Sequence, residues 1–195
     1  VVNFELSSGG LVWSGNARPI PQVRAGFIDF VDIPFTKGWV QIKGELAYGK
    51  FMDNDFLRDH YNYYNQYITT DALYHHKSIS FRSNPDKPFV VTIGAELAAQ
   101  FGGTKRYYEK GILIDSLTMK SPTRLKDFFK ILFPSSGDGQ TNEGDQAYYY
   151  GNHVGQWNLS AEYRFKDNSS VRGYFEWYFD DASGMGKFNG WDGLW

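Results

Sequence analysis

Residues able to do chemistry are few and scattered in this chain. There are four histidines, His60, His75, His76 and His153. His75 and His76 are neighbours in an alternating segment, so their side chains leave opposite faces and cannot chelate one metal ion. The chain has no His-Glu-x-x-His pair, no phosphate-cradling glycine loop and no nucleophile elbow. The Gly102-Gly103 pair marks a turn at a strand end. Cysteine is absent altogether, which excludes thiolate metal sites, disulfides and a cysteine nucleophile. Asp180-Asp181, with Asp192 further on, is the nearest approach to a glycosidase carboxylate pair. Adjacent strand residues diverge, however, whereas hydrolysis needs two carboxyl groups about 5–9.5 Å apart across one bond. Regularly spaced oxygen ligands for calcium are not visible either. The expectation is a non-enzymatic protein without metal or cofactor.

Binding chemistry is better represented. Tyr61, Tyr63, Tyr64 and Tyr67 crowd one connecting segment, Tyr148, Tyr149 and Tyr150 end another, and Trp191 and Trp195 close the chain. Sugars present apolar ring faces that stack on aromatics and hydroxyls that hydrogen-bond to acidic and amide neighbours. Tyr148, Tyr149, Asp180, Asp181, Trp191 and Trp195 are therefore the candidate saccharide contacts. The same aromatics also suit loops that pack on themselves and belts at a membrane interface.

These residues sit in a framework of alternating strands. From Phe89 to Phe101, Phe89, Val91, Ile93, Ala95, Leu97, Ala99 and Phe101 share one face, and Thr92, Glu96 and Gln100 share the other. Alternation recurs over Val40–Tyr48, Gly155–Phe165 and Val171–Phe179, and more weakly over Gln22–Ile33 and Tyr74–Ser83. A further strand is expected over Val2–Trp13, with a bulge at Ser7–Gly10. At ~3.4 Å per residue the longest strand spans roughly 40 Å, against about 17–20 Å for an ordinary one. Tilted by ~45°, it would cross a ~30 Å hydrocarbon layer. Ionic residues stand in mid-strand opposite the apolar face: Lys43, Glu45, Glu96, Glu162, Arg164, Arg172 and Glu176. In a watery lumen such charges can pair across strands without the cost of dry burial. Aromatics gather near strand ends, at Trp39, Tyr48, Phe51, Phe89, Phe101, Trp157, Phe165 and Phe179, as an interfacial girdle requires.

Connections alternate strictly between short (34–38, 84–87, 167–170) and long (15–21, 50–73, 102–152). In an up-and-down meander that sorts tight turns to one end and long loops to the other, as in transmembrane β-barrels. Within the longest loop, Leu125, Phe128, Phe129 and Leu132 predict a short helix over 124–133 ending before Pro134. Composition agrees with an all-β chain: of 195 residues, 18% are aromatic and 21 are glycine. The net charge of −2 argues against nucleic acid as partner. The expected fold is an all-β, antiparallel up-and-down meander of about seven long strands. Since closed barrels need at least about eight strands, residues 1–195 read as one internal segment of a larger barrel, with Val1 and Trp195 as cut points.

Four stretches carry a resemblance: 74–82 (Tyr-His-His-Lys-Ser-Ile-Ser-Phe-Arg), 93–103 (Ile-Gly-Ala-Glu-Leu-Ala-Ala-Gln-Phe-Gly-Gly), 151–157 (Gly-Asn-His-Val-Gly-Gln-Trp) and 180–185 (Asp-Asp-Ala-Ser-Gly-Met). With the closing Asp-Gly-Leu-Trp of 192–195, their order and spacing resemble the capsule assembly Wzi family in its Bacteroidetes form, over most of the chain except loop 104–150. That resemblance implies a bacterial outer-membrane barrel of about eighteen strands with its long loops extracellular. It further implies a lectin-like, non-enzymatic role in attaching or assembling capsular polysaccharide. The expected partners are that glycan, outer-membrane lipid and the remaining strands of the same barrel. The alternatives are a porin or glycan-transport channel, and a soluble glycan-binding β-domain.

Overall fold

Period-two alternation builds strands wherever it was strong enough to read. In the computed structural model, Val12 and residues 19–52, 54–60, 65, 67–133 and 151–180 are described. The expected strand over Val2–Trp13 lies outside them apart from Val12. Chain order is β1 (Gln22–Asp32), β2 (Val40–Lys50), α1 (Asn54–Asp59), β3 (Tyr67–Thr70), β4 (Leu73–Ser83), β5 (Phe89–Phe101), β6 (Thr104–Glu109) and β7 (Ile112–Leu113). A 3-10 turn at Asp115–Leu117 follows, then β8 (Met119–Lys120), α2 (Leu125–Leu132), β9 (Asn152–Arg164) and β10 (Ser170–Asp180).

The six long strands form one antiparallel sheet in the order β1-β2-β4-β5-β9-β10. Among the described residues β1 and β10 each have one neighbour, so this sheet is open. Each hairpin inside it is tight, and its turns are specified locally. Asn84 Oδ1 accepts the Asp86 N–H at 2.8 Å, and Asp167 Oδ1 accepts both the N–H and the hydroxyl of Ser169, at 3.0 and 2.6 Å. In the first turn Phe35, Lys37 and Gly38 take positive φ values of 71°, 53° and 76°. Antiparallel succession then puts the two long connections at the opposite end. There they meet: β3, in the first, pairs with β6, in the second, to start a small separate sheet.

Register aligns the apolar residues in rows across the strands. Ile42, Phe81, Ile93, Leu159 and Phe175 stand side by side on one face. On the other face Glu45, Ser78, Glu96, Gln156 and Tyr178 do the same. A register shift in β1 between Phe27 and Val31 is the bulge that alternation did not reveal. It lays the Phe30 ring under the Arg82 guanidinium, 4.0 Å from the ring centroid, on the polar face.

Burial is reversed relative to an ordinary domain. Ile93 is 51% and Leu159 45% exposed, and Leu46, Ile79 and Phe81 are exposed as well. On the polar face His76, Gln156, Asn158 and Glu176 are buried. The apolar face is covered only toward the long-connection end. There Ala99 and Phe101 pack with Ile131 and Phe128 of α2 and with Tyr48 and Leu73. Gly151, just before β9, allows this closeness: its φ is +85°, and an added Cβ would lie 2.5 Å from Ile131 Cδ1.

Candidate functional site: an ionic ladder on the polar face

The polar face carries a chain of charged and amide groups that crosses five strands. Arg24 on β1 grips the Glu45 carboxylate on β2 with both Nε (3.1 Å) and Nη2. Glu45 Oε1 lies 3.4 Å from Nδ1 of His76 on β4. His76 Nε2 is 2.8 Å from Oε1 of Glu96 on β5, and Gln156 Nε2 on β9 donates to the other Glu96 oxygen at 3.2 Å. The steps from Arg24 to Glu96 are diagonal contacts between neighbouring strands, and Glu96 and Gln156 stand directly opposite each other. Beside this ladder, the Tyr178 hydroxyl donates to Glu176 at 2.5 Å on β10. Buried amide oxygens of Gln156 and Asn158 face the same side and have no hydrogen-bond partner among the described residues.

Two further clusters lie toward the tight-turn end. Glu162 on β9 accepts from Arg164 Nε at 2.8 Å and from Arg172 Nε and Nη2 at 3.1 and 2.5 Å. Gln41 bridges Asp32 and Arg82, donating to Asp32 Oδ1 at 2.9 Å and accepting from the Arg82 guanidinium at 2.7 and 3.0 Å. Exposed pairs of this kind stabilise little, typically ~0–1 kcal/mol each. What they do is fix the orientation of charge over the surface.

The geometry gathers the seven mid-strand ions on one face but into separate groups. Glu45 and Glu96 join one ladder through His76. Glu162, Arg164 and Arg172 form a second, and Glu176 pairs with Tyr178. Lys43 is exposed. Alternation in the weak strands β1 and β4 passed over Arg24 and His76, although both share the parity of the ionic positions. His76 differs from His75 as expected of strand neighbours: His75 Nδ1 faces the Ala47 carbonyl oxygen at 3.0 Å beneath the α2 side. Of the saccharide candidates, Asp180 ends β10 opposite Val154. Tyr148, Tyr149, Asp181, Trp191 and Trp195 lie outside the described residues. The described loops do offer an aromatic surface. Tyr67 of β3 and Tyr107 of β6 pack at 4.9 Å between centroids, and Lys105 Nζ lies 4.6 Å from the Tyr67 ring.

Several girdle positions also separate by end. Trp39, Phe89 and Phe165 are exposed near the tight turns, whereas Phe101 and Tyr48 lie under α2 at the other end. Among the described residues no group of three or more His, Asp or Glu is placed to hold a metal ion. The ladder's chemistry is charge presentation and hydrogen bonding. Comparison with protein-family models, with curated proteins and with solved structures finds no match to this chain.

Proposed function

We propose that this chain is part of the wall of a bacterial outer-membrane β-barrel that attaches or assembles capsular polysaccharide at the cell surface without catalysis. Its apolar face meets lipid, its ionic face lines the lumen, and its long connections are extracellular. The observation that carries the membrane part is the reversed burial: a row of large apolar side chains through Ile93 and Leu159 is exposed while His76, Gln156 and Glu176 are buried on the other face. Soluble monomers rarely leave a contiguous apolar surface of that kind bare. Strands as long as the 13-residue β5 make the crossing. Open sheet edges at β1 and β10 then pair with further strands, because unpaired backbone in hydrocarbon costs several kcal/mol per group.

Support for the glycan comes from the family resemblance and from aromatics set beside polar groups in the connections. Tyr and Trp there stack on sugar rings, and Asp180 and Asp181 accept their hydroxyls. The test is capsule retention on cells that carry Trp191→Ala or the triple alanine replacement of Tyr148, Tyr149 and Tyr150. Shed polysaccharide, with surface display of the protein unchanged, is the expected result. Full retention with normal display would remove the glycan role.

A further inference from the structure

Helix α2 is apolar on two sides. Its inner side holds Phe128 and Ile131 against Tyr48, Leu73, Ala99 and Phe101. Hydrogen bonds pin it there: the Tyr48 hydroxyl donates to the Phe128 carbonyl at 2.8 Å, and Lys77 Nζ donates to the carbonyls of Ile131 and Leu132 at 3.0 and 2.6 Å. That cation at the helix C-terminus complements the helix dipole as well. Its outer side is bare. Leu125 and Phe129, four apart on one helical stripe, and Phe133, just past the helix end, are 82%, 68% and 69% exposed.

Among the described residues, the side chains flanking that stripe on the helix surface are basic. Arg124, Lys126 and Lys130 belong to the helix segment and Lys120 precedes it, while the one acidic residue, Asp127, is buried and accepts the Arg124 backbone N–H at 2.8 Å. The bare stripe is also continuous with the sheet's apolar face. Leu132 and Phe133 share a groove of about 450 Å³ with Leu46, Ile79 and Leu97, a volume within the ~300–1,000 Å³ that accommodates small ligands and here suits a hydrocarbon chain.

We propose that α2 is an in-plane interfacial helix that docks on an anionic lipid surface: Leu125, Phe129 and Phe133 enter the acyl boundary, and the exposed Lys126 meets lipid phosphates. This arrangement is that of a short helix lying at the headgroup level, with aromatic and aliphatic residues inward and lysines toward the phosphates. The inference rests on the membrane reading above, and the experiment separates the two. Because the chain has no cysteine, a single introduced one takes a nitroxide label without interference. Labels at I93C, F129C and K126C are compared in the protein reconstituted into phosphatidylcholine vesicles with and without phosphatidylglycerol. The ratio of oxygen to aqueous nickel-chelate collisions should be highest at Ile93, intermediate at Phe129 and severalfold lower at Lys126. A label at Phe129 as open to the nickel chelate as that at Lys126, with Ile93 still in lipid, overturns the interfacial helix alone. An aqueous Ile93 label overturns the membrane reading and this inference with it. For the phosphate contact, K126Q should make the Phe129 label shallower in the anionic vesicles and leave it unchanged in phosphatidylcholine. Identical depths for parent and variant in the anionic vesicles overturn that part.

Discussion

The apolar face of this sheet has two regions built from the same alternation and treated oppositely. Toward the tight turns, Phe81, Ile93 and Leu159 are bare. Toward the long connections, Leu97, Ala99 and Phe101 are buried, the last two beneath α2. Nothing in β5 itself separates them, since that strand simply continues its period of two from one region to the next. What differs is whether a distant segment folds back to cover the strand. The covered region also collects polar groups that a lipid-facing surface would reject: His75, His153 and Lys77 all lie on it, with Lys77 spent on the helix carbonyls. An apolar face can thus carry cations where protein supplies the partners, and needs uniformly apolar side chains where it does not.

Replacing Phe101 with alanine strikes the covered region hardest. Loss of a buried aromatic should cost about 3–5 kcal/mol, read as a lower unfolding midpoint with the α2 segment opening first to amide hydrogen exchange. If α2 stays protected, the helix does not depend on that contact. Ile93→Lys probes the bare region in the same way. In a bilayer it should cost ~2–4 kcal/mol at the midplane, whereas on a water-exposed sheet a surface change stays within about 0.5 kcal/mol. Parallel unfolding in lipid vesicles and in aqueous buffer gives both values, and indifference in both removes lipid from the bare region. On the opposite face, Glu96→Gln keeps the side chain's shape and one acceptor oxygen but removes the charge and turns an NH2 donor toward His76 or Gln156, so the expected loss is near ~1 kcal/mol. A cost as large as that of Ile93→Lys would mean that the polar face, too, is dry.

The smallest effect belongs to the tight-turn end. Hydrogen bonds from the Ser169 hydroxyl and N–H hold the Asp167 carboxyl below its ordinary value. A carboxyl lowered by folding contributes its stabilisation above the unfolded value near ~4 and loses it as pH falls through the folded value. The β9–β10 hairpin should therefore loosen slightly only in acid. Chemical shifts of Ser169 followed against pH measure this, and Asp167→Asn should flatten the response.

Six long strands stood close to their observed bounds in the alternation, and the helix at 125–132 could be read from its apolar spacing. Both are local signals: the pleat fixes a two-residue period and the α-helix a 3.6-residue one. The ladder was legible in part. Glu45 and Glu96 stood out as mid-strand charges, but Arg24 and His76 lay in strands with weak alternation, and a histidine's partners are not written in its neighbours. The β1 bulge was not legible, because one irregular stretch among apolar residues such as Ile28, Phe30 and Val31 leaves no break in composition.

Residue order alone therefore determined where the six long strands run, which of their side chains share a face outside the β1 bulge and where the tight turns fall, because each depends on neighbours within a few positions. The short strands β3, β6, β7 and β8 inside the expected loops were not legible. Tertiary structure decided that the two long connections pair through β3 and β6, that α2 lies over Tyr48 and Lys77, and that His76 falls between Glu45 and Glu96. Those contacts join residues far apart in the chain. They are selected by which surfaces can cover one another and which buried polar groups can find partners, and no local period encodes that choice.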